Sequence, residues 1–188
     1  MLGRGFLWVG GLALSLVGCG GGDDDDDDTS TVSGLAGIYE TVSDDYFQPC
    51  DGAPTNTGNE PPYFRIIDEA LFNGVFISVY RCTSGEPSSC EDENTGSPLI
   101  WLAEQTTGGV FRSESSERTG NGADCTASYL VEDVKKSTTG VTLTSEERCG
   151  AWSGADCTGE FTDALVSKTK SLPCFQREVR EGTLTTPD

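Results

Sequence analysis

The stretch CTASYLVEDVKKSTTGVTLTSEERC, residues 125–149, decides the fold. Its two arms, residues 125–134 and 140–149, are rich in the β-branched and aromatic side chains that strands favour. Between them, the polar segment STTG at residues 137–140 ends in a glycine, which is typical of a tight turn between two strands. We therefore predict that this stretch is a β-hairpin.

The rest of the chain repeats this pattern of strand-like runs between turn residues. Turns are predicted at Asn73-Gly74 and at residues 106–109, and residues 51–62 are predicted to be a long polar loop. No window of eleven or more residues has the apolar spacing of an amphipathic helix. The other candidate strands are LAGIYETV (35–42), PYFRIIDE (62–69), GVFISVYRC (74–82), PLIWLAEQ (98–105), GVFRSESSER (109–118), GEFTDALVSK (159–168) and PCFQREV (173–179).

These strands predict a single all-β domain over residues 34–182, followed by a flexible C-terminal tail at residues 183–188. Antiparallel strands leave unpaired edges unless their sheet closes on itself or stacks on another sheet. We expect a meander of about eight or nine strands closed into an up-and-down barrel. A two-sheet β-sandwich is the alternative.

The segment GLAGIYETV, residues 34–42, places Gly37 two residues before the aromatic Tyr39. This arrangement resembles the opening strand of lipocalin-type barrels, with tyrosine at the position where those barrels usually have tryptophan. The resemblance implies a lipocalin-like barrel, a fold with room for one small ligand inside it.

The candidate strand GVFISVYRC is apolar on both faces. Val75, Ile77 and Val79 alternate with Phe76 and Tyr80. One set is expected to face the core, while the other either contacts a ligand or partner or is buried as well.

Two segments of the chain resemble each other. ERTGNGADCTASYLVED (residues 117–133) and ERCGAWSGADCTGEFTD (residues 147–163) share the pair ER and the pentapeptide GADCT. If the likeness is structural, it predicts two similar hairpins. The alternative is coincidence in a sequence rich in glycine and threonine.

The chain has eight cysteines and no histidine, and none of the cysteines forms a CxxC pair. This composition excludes the usual mixed zinc sites and favours disulfides formed in an oxidising compartment. Cys82 and Cys90 bracket one polar loop, and Cys149 and Cys157 bracket another, so we predict these two disulfides. The third predicted bond is Cys50–Cys174, which leaves Cys125 free; Cys50–Cys125 is the alternative.

The N-terminus, MLGRGFLWVGGLALSLVGC, has one positive charge at Arg4 and then an apolar run over residues 6–17. The run is shorter than a membrane span and suits the apolar region of a signal peptide. It ends in Leu16-Val17-Gly18-Cys19, which resembles the lipobox of bacterial lipoproteins. The resemblance implies that residues 1–18 are cleaved and that Cys19 becomes the lipid-bearing first residue, the membrane anchor of the protein.

Residues 19–33 contain three glycines and six consecutive aspartates, followed by threonine and serine. Such a segment repels itself and cannot pack, so we predict a disordered stalk after Cys19. In the lipoprotein family, glycine rather than aspartate after the lipid-bearing cysteine implies the outer membrane. We therefore expect a location in the cell envelope, on the periplasmic or the surface-exposed face of that membrane.

The formal net charge of −19 and the lack of basic clusters exclude a nucleic-acid partner. Without histidine, Ser-His-Asp and Cys-His catalysis are excluded, and we predict no cofactor and no metal. We predict a non-enzymatic envelope lipoprotein that interacts with an unidentified protein or small molecule. A lipocalin-like carrier is the alternative. A hydrolase using the carboxylate pairs Asp44-Asp45, Asp68-Glu69 or Glu146-Glu147 is a distant one.

Overall fold

The structure is a computed structural model that describes residues 33–58, 60–71, 74–120 and 122–188. The predicted signal peptide, the lipid-attachment residue Cys19 and the predicted stalk up to residue 32 lie outside the described residues. The elements of the described part are β1 (Gly37–Phe47), β2 (Pro54–Asn56), β3 (Tyr63–Leu71), β4 (Gly74–Cys82), a 3₁₀ turn (Pro87–Ser89), β5 (Ile100–Gln105), β6 (Val110–Thr119), β7 (Asp124–Lys136), β8 (Gly140–Ser153), α1 (Ala155–Thr158), α2 (Asp163–Thr169) and β9 (Cys174–Pro187).

The strands form a closed barrel in chain order. Each strand from β3 to β9 pairs antiparallel with its neighbour in sequence, and β7 with β8 is the predicted hairpin. β9 returns to pair with β1, whose other side pairs with β3 and with the short additional strand β2. The prediction of an all-β, lipocalin-like up-and-down barrel is confirmed, with eight strands in the barrel. The β-sandwich alternative is wrong, because the sheet removes its edges by closing on itself.

An apolar core fills the lower half of the barrel, toward the turns at residues 106–109 and 137–139. Tyr39 stacks on Phe64 with ring centroids 5.4 Å apart, and its hydroxyl donates to the Leu35 carbonyl at 2.7 Å. Gly182 of β9 leaves room for this pair, since a side chain there would collide with the Phe64 ring. The other core residues include Ile66, Ile77, Val79, Ile100, Ala103, Phe111, Val134, Val141 and Leu143.

Both faces of β4 are buried. Ile77 and Val79 are fully buried in the core, while Tyr80 on the opposite face is 2% exposed. Of the second set of apolar residues on this strand, Tyr80 is therefore buried within the protein and is not free to contact a partner.

The predicted C-terminal tail is part of the barrel. Residues 183–187 continue β9, and Leu184 pairs with Tyr39 of β1. The prediction of a flexible tail is wrong because the closing strand must run the full length of β1 to leave it no free edge. At the same lower end, the Ser33 amide donates to Asp68 Oδ2 at 3.2 Å, so this last residue of the predicted stalk contacts the barrel.

The segment GEFTDALVSK, predicted as a strand, contains helix α2 instead. Leu165 and Thr169 are four residues apart, which places them on one side of α2, and Phe161 lies just before the helix. Thr169 is fully buried, and Phe161 and Leu165 pack with Trp152 of β8. α2 has only seven residues, so it is too short to show the apolar spacing of an amphipathic helix over eleven or more residues.

Three disulfides join described cysteines: Cys50–Cys174, Cys82–Cys90 and Cys125–Cys157. The first two are the pairs expected from the sequence. The prediction of a Cys149–Cys157 bond with Cys125 free is wrong, because Cys157 of α1 bonds to Cys125 of β7 and Cys149 is free. By strand alternation, Cys149 lies on the same side of β8 as the core residue Leu143, whereas α1 covers the opposite, outer side.

The two GADCT segments adopt different conformations. The first, residues 122–126, leads into β7, and the second, residues 154–158, forms α1. They lie side by side, because their cysteines form the Cys125–Cys157 bond and the Gly154 amide donates to the Ala123 carbonyl at 2.6 Å. The prediction of two similar hairpins is therefore wrong.

Candidate functional site

Strand alternation places a row of polar side chains above the apolar core. In the core, Val134 of β7 is the cross-strand partner of Leu143 of β8. Two residues further up the hairpin, Glu132 is the partner of Ser145. Ser145 in turn faces Glu178 of β9. Residues two apart on a strand point the same way, so Glu132, Ser145 and Glu178 point into the barrel.

These three side chains line a cavity of about 220 Å³, here called the charged cavity. Arg81 and Arg180 complete its polar wall. Its apolar wall is formed by Leu99, Ile100 and Leu143.

Two further spaces adjoin the charged cavity. One, of about 250 Å³, shares Arg81, Leu99, Glu178 and Arg180 with it and reaches Glu60 and Pro61. The other, of about 400 Å³, lies further up the barrel and is lined by Ser115, Glu117, Ser128, Leu130, Glu147 and Gln176. The upper half of the barrel is therefore polar and partly open, in contrast to the filled lower half.

Arg180 is the centre of a buried ion-pair network. The residue is 7% exposed, and Asp44 on the adjacent strand β1 is 1% exposed. Arg180 Nη2 donates to Asp44 Oδ2 at 2.9 Å, to the Glu60 carbonyl at 2.8 Å and to Glu178 Oε1. Asp44 Oδ1 and Arg180 Nε are buried and have no hydrogen-bond partner among the described residues. Buried charges of this kind lose hydration that the pair recovers only in part, so the network is expensive for stability alone.

The two acids of the row have raised pKa values. Burial raises the pKa of Glu132 to about 7, and the negative charge of Glu178 adds to the effect. Burial also raises the pKa of Glu178, an effect that Arg180 opposes and Asp44 reinforces. A carboxyl that takes up a proton near neutral pH inside a cavity is typical of a functional site.

The carboxylate pairs expected from the sequence are Asp44-Asp45, Asp68-Glu69 and Glu146-Glu147. Neighbouring strand residues point to opposite faces, and the last pair shows the result. Glu146 accepts a hydrogen bond from Arg148 Nε at 2.9 Å, whereas Glu147 lines the upper polar space and accepts from Gln176 at 2.7 Å. Of these residues, the structure brings Asp44 to the charged cavity, through its bond to Arg180.

Sequence reasoning missed Glu132 and Glu178. The signal for Glu132 was present, because the turn at residues 137–140 fixes the register of the hairpin and places it opposite Ser145. Glu178 is 46 residues further along the chain and arrives beside Ser145 only through the β8–β9 pairing. No local pattern gives that register.

The acidic loop of residues 90–97 uses its oxygens internally. Asp92 Oδ1 accepts from the Asn94 amide at 2.9 Å, the Thr95 amide at 3.0 Å and the Thr95 hydroxyl at 2.9 Å. These hydrogen bonds, led by the one from Asn94, lower the pKa of Asp92. Among the described residues, no group of three or more cysteine or carboxylate side chains is arranged to hold a metal ion.

Within the described ranges, no helix has the length and apolar character required to cross a bilayer. No protein-family model, no curated protein and no solved structure matches the chain.

Proposed function

We propose that the protein is an envelope lipoprotein, anchored in the outer membrane through Cys19, whose barrel binds a small ligand in the charged cavity without covalent chemistry. The lipobox-like sequence and the acidic stalk support the anchor. The charged cavity is the observation that carries the binding function. The cavity favours binding of a small ligand over an interaction with another envelope protein. The interaction with an envelope protein stays a prediction.

The contrast between the two halves of the barrel supports binding. The lower half is filled by apolar side chains, which is what stability requires of a barrel interior. The row above it places Glu132, Glu178 and Arg180 around an unfilled space. Burying charged groups reduces stability, and such groups around an unfilled space are typical of a functional site.

Thermal unfolding of the full chain in detergent, with a panel of small cations, anions and neutral molecules, tests the binding function. A ligand at about 100 times its Kd stabilises the folded state by about 2.7 kcal/mol, which raises Tm by a few degrees. The control is Ser145→Leu, which fills the cavity between Glu132 and Glu178. We expect one chemical class to raise the Tm of the wild type and not that of the variant. Unchanged Tm values for every class would contradict the proposal.

Metabolic labelling with palmitate tests the anchor. We expect the wild-type chain to be labelled and to sediment with membranes, and Cys19→Ala to lose both properties. A Cys19→Ala chain that stays in the membrane fraction would refute anchoring through this residue.

A carboxylate-based hydrolase is the second candidate, because Glu132 and Glu178 face one cavity and the pKa of Glu132 is raised to about 7. A protonated acid beside a second carboxylate is the minimal equipment of glycoside hydrolysis. The ion pair of Glu178 with Arg180 weakens this candidate, since it occupies the second carboxylate. Hydrolysis of nitrophenyl glycosides that is lost in Glu132→Gln would support it.

A further inference from the structure

The charged cavity and its immediate surroundings hold more acids than bases. The ionisable groups that line it or bond to its wall are Glu132 of β7, Glu178 and Arg180 of β9, Arg81 of β4 and Asp44 of β1. These are three carboxyls and two guanidinium groups, whereas Glu60 of the loop before β3 is exposed and contributes its backbone carbonyl. The cavity therefore attracts positive charge.

Arg180 forms ion pairs with Asp44 and Glu178, and among the described residues no ion pair joins it to Glu132. Its Nη2 atom already bonds to Asp44, to the Glu60 carbonyl and to Glu178. The other guanidinium, Arg81, is exposed and donates to the Ser97 carbonyl at 3.4 Å. Glu132 is thus a half-buried acid that forms no ion pair with any basic side chain of the described residues.

We propose that the charged cavity binds a small organic cation, an ammonium or guanidinium group carrying a short apolar chain. The cationic group lies between Glu132 and Glu178, and the apolar part lies against Leu99, Ile100 and Leu143. This inference rests on the proposed binding function and assigns the chemical class of its ligand.

The dimensions and the donor set favour an organic cation over a metal ion. The charged cavity alone, of about 220 Å³, is below the usual range of roughly 300–1,000 Å³ for drug-sized ligands, so a ligand held within it is small. A hard metal ion needs several oxygen ligands close together, and the described residues offer no such group. An amine instead makes a few directed hydrogen bonds and leaves its carbon chain against apolar side chains.

Binding of a cation is coupled to the protonation of Glu132. Without ligand, burial raises the pKa of this carboxyl to about 7, so it is mostly protonated in mild acid. A bound ammonium favours the carboxylate, and the ligand must displace the proton to bind. Affinity therefore rises with pH up to about 7 and falls as the pH drops below it.

Isothermal titration calorimetry on the full chain in detergent tests this assignment. The probes are phenethylammonium, its neutral analogue 2-phenylethanol, the anion phenylacetate and Ca²⁺. We expect phenethylammonium to bind at about pH 8.5 and to bind about tenfold or more weakly at about pH 5.5. The two organic analogues and Ca²⁺ are expected not to bind.

Glu132→Gln is the decisive variant, and Glu146→Gln is its matched control on the outer face of β8. We expect Glu132→Gln to lose about tenfold or more in affinity for phenethylammonium, together with the pH dependence, and Glu146→Gln to keep both. Equal binding by wild type and Glu132→Gln, or no binding of phenethylammonium by the wild type, would overturn the inference. Binding of phenylacetate or 2-phenylethanol in its place would overturn the charge assignment alone, because the cavity would still be a binding site.

Discussion

At the scale of single residues, Glu132 is the most informative side chain. Its carboxyl lies in the barrel interior above the apolar core, with Glu178 nearby and no cation of its own. The folded-state pKa is raised from 4.5 to about 7. A raised carboxyl pKa means that the folded state holds a proton that the unfolded chain releases, so the free energy of unfolding decreases as pH rises from about 4.5 to about 7.

Glu132→Gln therefore stabilises the protein at high pH. At about pH 8 we expect a gain on the order of 2 kcal/mol, reduced from the full shift because solvent reaches part of the side chain. At about pH 4, where the wild-type acid is protonated, wild type and variant should have similar stability. Thermal unfolding at both pH values measures the effect, with Glu146→Gln as the control. A variant less stable than wild type at about pH 8 would contradict the burial of an unneutralised acid here.

At the scale of elements, the Cys125–Cys157 disulfide holds the helical segment against the barrel. It links β7 to α1, and the cluster around it includes Trp152, Phe161 and Leu165. The positions of Cys149 and Cys157 at the two ends of a polar loop favoured Cys149 as the partner of Cys157. That expectation failed because closeness in sequence does not show which face of a strand a cysteine occupies.

Removal of this disulfide should therefore be costly, and removal of the Cys149 thiol should not. The bond closes a loop with a sequence separation of 32, for which the chain-entropy estimate is about 3–4 kcal/mol. We expect the double variant Cys125→Ser, Cys157→Ser to lose about that much stability in denaturant unfolding without reductant. Cys149→Ser should change it by less than about 1 kcal/mol. A loss in Cys149→Ser as large as that in the double variant would show that the predicted Cys149–Cys157 bond is the one that forms, because both variants would then remove it.

Much of the architecture could be predicted from local sequence. The turn residues and β-branched runs gave the hairpin of residues 125–149 and the other barrel strands, because these signals act over a few residues. Helix α2 was missed because its seven residues are too few to show the repeated apolar spacing of a helix. The position of Glu132 and Glu178 on one cavity was missed because it depends on the register of three strands, β7, β8 and β9.

At the scale of the whole molecule, closure of the barrel depends on the last residues of the chain. β9 pairs with β1 along the whole length of β1, from Arg177 opposite Phe47 down to Pro187 opposite Gly37. Beyond the strand, Arg65 Nη2 contacts Asp188 Oδ2 at 2.9 Å. Residues that close a barrel protect both neighbouring strands, whereas an exposed ion pair contributes little.

Deletion of residues 183–188 therefore tests closure. We expect a loss of several kcal/mol in the free energy of unfolding and faster amide exchange along β1, because the deletion exposes its edge. Asp188→Asn, which removes only the ion pair with Arg65, should cost at most about 1 kcal/mol. Unchanged stability after the deletion would restore the sequence-based prediction of a flexible tail.

The proposed binding of a cation depends on the Glu132 carboxyl in the upper half of the barrel. NMR titration of the Glu132 side-chain carboxyl, with and without phenethylammonium, measures this directly. The predicted result is a pKa of about 7 without the probe and a value lower by about one unit or more when the probe is bound. A pKa near 4.5 that the probe does not change would contradict both the buried acid and its role in binding.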